Sequence, residues 1–174
     1  MFILIVSDFG VAKTNGKFKY VGVKKCKICH SSAKKGAQFK VWSVSKHAKA
    51  YAALASPEAK KIAKEKGIAD PQKSEKCLKC HLTGAGQPKT MFAASFKAAA
   101  EGVGCETCHG PGSAYKSMKI MKGIHAGTVK AETVGLTKLK PEGCKKCHNP
   151  ESPSYKKFKY AEFWAKIKHK IPKK

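Results

Sequence analysis

The chain has 174 residues, enough for one ordinary domain, and sets 36 basic residues against 11 acidic ones for a formal charge of +25. Every basic residue is lysine and the lysines are scattered, so the arginine fork that reads bases and phosphates is absent and no nucleic-acid partner is expected. An acidic protein is the expected partner instead.

Alanine supplies much of the 42% apolar fraction, and long aliphatic runs stop after Val6. Side chains alone would struggle to offset the entropy of ordering such a chain, so something else must fill its core. No segment approaches the length of a membrane span.

Residues 1–20 read as an N-terminal arm or a signal-peptide remnant. Phe2 to Val6 form a short apolar run, and Gly10 and Ala12 occupy the −3 and −1 positions of a possible cut before Lys13. Residues 21–174 are expected to form a single domain. Its first motif is Cys26-Lys-Ile-Cys29-His30. Val44, His47, Ala48, Tyr51 and Ala55 then follow helical spacing and predict a helix with His47 on its apolar face. Ser56-Pro57-Glu58 predicts the start of another, with Ala59, Ile62 and Ala63 inward and Gly67 and Asp70-Pro71 as its stop.

Two further motifs follow, Cys77-Leu-Lys-Cys80-His81 and Cys105-Glu-Thr-Cys108-His109. Met118 and Met121 precede His125, which glycines 123 and 127 flank and which reads as loop-like. Cys144-Lys-Lys-Cys147-His148 is the fourth motif. A last helix is predicted over about 159–169, with Tyr160, Trp164, Ile167 and Ile171 as its bulky stripe. His169 lies in line with Ala161 and Ala165, and Pro172 is the stop.

All eight cysteines fall in these four identical frames. Paired cysteines also suit zinc or a disulfide framework, but neither explains a histidine directly after every second cysteine. Haem c attachment does. Two thiols add across the vinyl groups of one porphyrin edge, a single backbone turn presents both, and the adjacent histidine lies under the iron as axial ligand. The sequence therefore predicts four covalently bound haem c groups, held by Cys26, Cys29, Cys77, Cys80, Cys105, Cys108, Cys144 and Cys147, with His30, His81, His109 and His148 on the irons. Such attachment takes place outside the cytoplasm, so an exported protein, periplasmic or extracellular, is expected. Four macrocycles in so short a chain would also supply the missing core.

Seven histidines less four proximal ones leave His47, His125 and His169 as distal ligands. Four irons need four. One haem must be five-coordinate, or take Met, Lys, water or an outside ligand, and Met118 and Met121 are rival thioethers although a Met stripe more often packs.

Several longer stretches resemble the cytochrome c-554 family of tetrahaem electron carriers, typified by an electron acceptor of hydroxylamine oxidoreductase. They are CKICH followed by W-x-x-x-x-H-A-K-A (42–50), GVGCETCHGPG (102–112), CLKCHLTGAGQ and SPSYKKFKYAEFWAKIKH, and the resemblance runs over about 21–171. It implies a mainly α fold, helices and loops wrapped around closely packed haems with little β-sheet. It also implies three bis-His haems and a five-coordinate haem at the second motif. His125 would serve the first haem, His47 the third and His169 the fourth. The chain departs from the family type in its shorter C-terminal end and its basic charge.

The leading functional expectation is electron transfer between redox proteins, not enzymatic turnover, because saturated bis-His haems change little on reduction. A nitrogen-oxide reductase working at the open haem is the alternative. A subunit of an extracellular conductive filament is another, although like-charged copies repel. Glu75, Glu101 and Glu106 are candidate acids at haem edges, with Glu106 expected to be structural.

Overall fold

The computed structural model describes residues 17–171, so the possible cut before Lys13 lies outside the described residues. The chain is mainly helical. Its α-helices are α1 (Val23–His30), α2 (Gln38–Ser43), α3 (Ala50–Ala53), α4 (Pro57–Glu65), α5 (Glu75–His81), α6 (Cys105–His109), α7 (Met118–Ala126), α8 (Pro141–Lys145) and α9 (Tyr160–Ile167). Short 3-10 turns and long irregular connections join them. Among the described residues, strand pairing is limited to one parallel bridge, Tyr20 to Phe92.

Helix α4 forms as its sequence dictates. The Ser56 hydroxyl accepts the Ala59 N–H at 3.2 Å, Pro57 opens the helix, and Gly67 at φ 64° ends it. Ala63 is buried on its inner face, with Ala59 and Ile62 half-buried beside it. The histidine segments depart from expectation. His47 lies in a turn between α2 and α3, not on a helix, because its carbonyl is drawn to the Val103 N–H at 2.9 Å while the Ser45 hydroxyl accepts the Ala48 N–H at 3.3 Å.

His125, expected in a loop, occupies the last turn of α7. The Ser117 hydroxyl caps that helix by accepting the Ile120 N–H at 3.3 Å, and Gly127 at φ 82° terminates it. His169 stands two residues beyond the end of α9, since Lys168 turns extended (ψ 138°) before Pro172 is reached.

Gly102 sits against the His47 turn at φ 50°. A Cβ there would lie 2.7 Å from the His47 carbonyl oxygen and 2.8 Å from that of Ala48. Gly102→Ala is therefore expected to destabilise the fold by about 1–3 kcal/mol. Chemical denaturation checks this, and an unchanged midpoint would show that the turn yields freely.

Among the described residues the buried apolar side chains are few: Phe18, Val21, Val23, Leu54, Ala63, Met91 and Tyr115. It gathers where residues 18–23, just ahead of α1, run between two other segments. Tyr20 exchanges hydrogen bonds with Met91 and Ala93, and its ring stacks on Phe92 at 5.3 Å. Lys19 pairs with Ser113 through N–H to hydroxyl at 2.8 Å and carbonyl to N–H at 3.1 Å. Elsewhere the helices scarcely meet, and Ile28 and Val44 are 75% and 73% exposed.

The chain exposes 12836 Å², whereas a compact monomer of 18.9 kDa exposes about 8,300 Å². The chain therefore exposes more surface than a closely packed chain of its size.

Candidate haem-attachment and ligand sites

Three of the four motifs share one local form. Cys26 to His30 lies in α1, Cys77 to His81 in α5, and Cys105 to His109 is the whole of α6, each helix ending at its histidine. The fourth begins in α8 and continues as one more turn, in which the His148 N–H donates to the Cys144 carbonyl at 3.0 Å. A helical turn puts both thiols of a motif on one side and the histidine beside them. All eight cysteines are free and half-buried.

The histidines carry the sharpest geometry. His47 and His148 approach with ring centroids 6.0 Å apart, and His109 and His169 with centroids 5.8 Å apart. Two imidazoles on one metal, each bonded at about 2 Å, place their centroids roughly 6 Å apart. Both pairs therefore fit an iron held between them. Burial lowers the pKa of all four rings, with the facing histidine as a further cause for His47 and His109. They are neutral at pH 7, as metal ligation requires.

The ring contacts differ from the pairing implied by the resemblance. His47 faces the fourth motif rather than the third, and His169 faces the third rather than the fourth. Among the described residues, His30, His81 and His125 form no ring pair with another histidine. His125 is exposed at the end of α7.

Two of the motif histidines have fixed tautomers. The His81 Nδ1–H donates to the Ala50 carbonyl at 2.7 Å, since a carbonyl can only accept. His30 Nδ1 lies 3.2 Å from Gln38 Oε1, while Gln38 Nε2 donates to the carbonyls of Lys35 and, at 3.0 Å, Lys170. That orients the amide, so His30 Nδ1 is the donor. In both residues Nε2 is left as the basic nitrogen available to a metal. His148 is positioned by packing instead: its ring stacks on Phe158 at 4.9 Å and meets the edge of Phe163 at 5.6 Å.

The motifs also approach one another in a definite order. The Cys26 and Cys105 thiols are close enough to perturb one another, which pushes Cys26 up and pulls Cys105 down. Cys147 lies against Cys80 and 3.9 Å from the Lys79 carbonyl, and the Cys108 thiol is raised first by burial and then by neighbouring Cys144. The sequence of neighbours is first, third, fourth, second motif. No group of three or more His, Cys, Asp or Glu side chains among the described residues forms a metal-binding cluster. A structural zinc site, which takes four protein donors, thus lacks its donor set among the described residues.

The family described as cytochrome c554 and c-prime matches residues 25–110, which include the first three motifs. Cytochrome c-554 of Nitrosomonas europaea is 41% identical over 101 residues, 56% of this chain. The match spans only 40% of that relative's length. The structure of reduced cytochrome c554 from the same organism is 30% identical and superposes with a TM-score of 0.52, covering 88% of this chain and 79% of that one. The chain belongs to the cytochrome c554 family. Family membership implies covalently bound haem c, and the paired free thiols and facing imidazoles fit that group.

Gln38, Phe158 and Phe163 were not legible as site residues. Gln38 lies eight positions beyond His30, and nothing local marks it as the partner of that ring. The two phenylalanines precede and enter α9, and only the close approach of that segment to the fourth motif gives them a role.

Proposed function

We propose that the protein is a tetrahaem c-type cytochrome that passes electrons between redox partners along its haems in the order first, third, fourth, second. The contacts between motifs carry this reading: Glu106 of the third motif accepts the Gly22 N–H at the entry to the first at 2.8 Å, the Cys108 thiol has Cys144 as a neighbour, and the Cys147 thiol of the fourth lies 3.9 Å from the Lys79 carbonyl of the second. Attachment points so close leave adjoining macrocycles near one another. Bound haem c supplies a one-electron iron couple in a conjugated ring. The chain's residues fix the rings, exclude water and saturate the irons.

His109 and His169 are the axial pair of the third haem, and His148 and His47 that of the fourth. His125 is assigned to His30 at the first. Supporting this, Tyr115, which leads into α7, lies near Cys26 and Cys105 and donates to the Gly110 carbonyl at 2.6 Å. His81 is then left without a histidine opposite, and the second haem is five-coordinate. A haem-to-protein ratio of four in the purified protein is the expected result, and a lower ratio overturns the reading.

Lysines dominate the surface, and the described residues contain three ion pairs: Lys73–Asp70, Lys79–Glu151 and Lys159–Glu162. An acidic docking face on the redox partner, in the periplasm or outside the cell, is the natural complement. Association with such a partner is expected to slow about tenfold or more from low ionic strength to 0.15 M or so. Stopped-flow mixing across a salt series measures this, and a salt-independent rate would remove the electrostatic account.

One observation favours a second reading at the second haem. A cavity of about 250 Å³, lined by Leu78, Leu82, Phe92, Phe96 and Glu75, adjoins α5. Nitric oxide or a related nitrogen oxide is the proposed ligand of this haem. A spectral change in one haem of four on mixing reduced protein with nitric oxide supports binding there, and no change excludes it.

A further inference from the structure

Two of the ten acidic residues in the described range are buried, and both point at one run of backbone amides. Glu101 and Glu106 are each 2% exposed. Glu106 lies inside the third motif, between Cys105 and Thr107. Its Oε1 accepts the N–H groups of Val21 at 2.9 Å and Gly112 at 2.6 Å, and its Oε2 accepts those of Val21 at 3.0 Å and Gly22 at 2.8 Å. Glu101 accepts the next amide, Val23, at 2.9 and 3.2 Å.

Val21, Gly22 and Val23 are the entry to α1, whose opening N–H groups have no partner within the helix. Gly22 caps that helix at φ 90° with no side-chain bond of its own. A Cβ on Gly22 would meet Glu101 Oε1 at 2.8 Å, so the carboxylate is pressed against the backbone. The loop bearing Glu101 is itself fixed, because the Thr83 hydroxyl donates to the Gly102 carbonyl at 2.9 Å and accepts the Gly104 N–H at 2.7 Å.

We propose that Glu106, assisted by Glu101, is a positioning residue that clamps the first attachment helix to the third and thereby sets electron exchange between those two haems. The inference rests on the tetrahaem electron-carrier reading. Burial pushes the Glu106 pKa up, but the carboxylate meets only donors, and the amides of Val21, Gly22 and Gly112 oppose that rise and favour the ionised form. It grips α1 from within α6, so the spacing of Cys26 and Cys105 follows from it. A buried negative charge between the two motifs also favours the ferric state of both adjacent haems. Geometry and charge therefore make separable contributions.

Glu106→Gln separates this role from simple packing. The amide keeps the shape of the carboxylate but turns an NH₂ toward an N–H donor in either orientation. In holoprotein still carrying four haems, the amides of Val21 and Gly22 are expected to exchange with deuterium about tenfold faster or more. Two of the four reduction potentials should rise, and electron exchange between those two haems should slow. Glu106→Asp keeps the charge and shortens the reach, so it should speed exchange while leaving the potentials in place.

Unchanged exchange together with unchanged potentials overturns the clamp, as does an equal shift of all four potentials, which would report general loosening. Should neither variant accumulate, the native protein decides: Val21, Gly22 and Val23 must be among its slowest-exchanging amides, and rapid exchange there refutes the proposal. A haem count below four would instead refute the carrier reading and leave the clamp to be judged by exchange alone.

Discussion

His47→Ala is expected to convert a second haem to the high-spin state, raising the high-spin share of the ferric protein from one haem in four to two. The His47 ring faces that of His148 at 6.0 Å, and alanine leaves the fourth iron with one axial ligand. The haem itself should stay in place, because Cys144 and Cys147 still hold it and Phe158 still stacks on His148. Electron paramagnetic resonance counts the two spin states, and an unchanged spectrum would remove His47 from the ligand set. His169→Ala should give the same increment at the third haem.

Removing the fourth haem should have the largest effect on both stability and conduction. Cys144→Ser with Cys147→Ser abolishes its attachment and lowers the haem-to-protein ratio from four to three. In the order of neighbouring thiols, the fourth motif is the link between the third and the second. Electron exchange between the first and second haems should therefore slow by orders of magnitude, while exchange between the first and third stays intact. The loss of a macrocycle should destabilise the fold by at least the ~3–5 kcal/mol of deleting a large aromatic side chain. Flash reduction and thermal denaturation measure the two effects, and undiminished exchange with the second haem would contradict the order.

The same variant also tests the ligand pairing. Adding His47→Ala to it should create no further high-spin haem, because the partner of His47 is already gone. Adding His169→Ala should still create one. The pairing implied by family resemblance requires the opposite behaviour for His169 and would be restored by it.

The attachment motifs were legible because their chemistry is local. Two thiols and a histidine within five residues suffice, and a single helical turn arranges them whatever surrounds it. Helix α4 was legible for a similar reason, since Ser56, Pro57 and Gly67 act on neighbouring backbone. The three histidines outside the motifs were legible only as a count. His47 has helical neighbours, but its backbone answers to Val103, more than fifty residues away. His125 was read as a loop from its glycines, although Ser117 and Gly127 bound an ordinary helix whose last turn contains it.

Pairing could not be read at all. It depends on which motif α9 and the His47 turn approach, and that is set by Phe158, Phe163 and the Gly102 contact rather than by spacing. Glu106 shows a similar limit. Its place in the third motif suggested a structural role, while its partners, Val21 and Gly22, lie some eighty-five residues earlier.

The most direct test of the central claim is quantitative electron paramagnetic resonance of the purified ferric protein, normalised to haem and to polypeptide. Four haems per chain, three low-spin and one high-spin, are expected. Four low-spin haems, or fewer than four haems in all, would contradict the account.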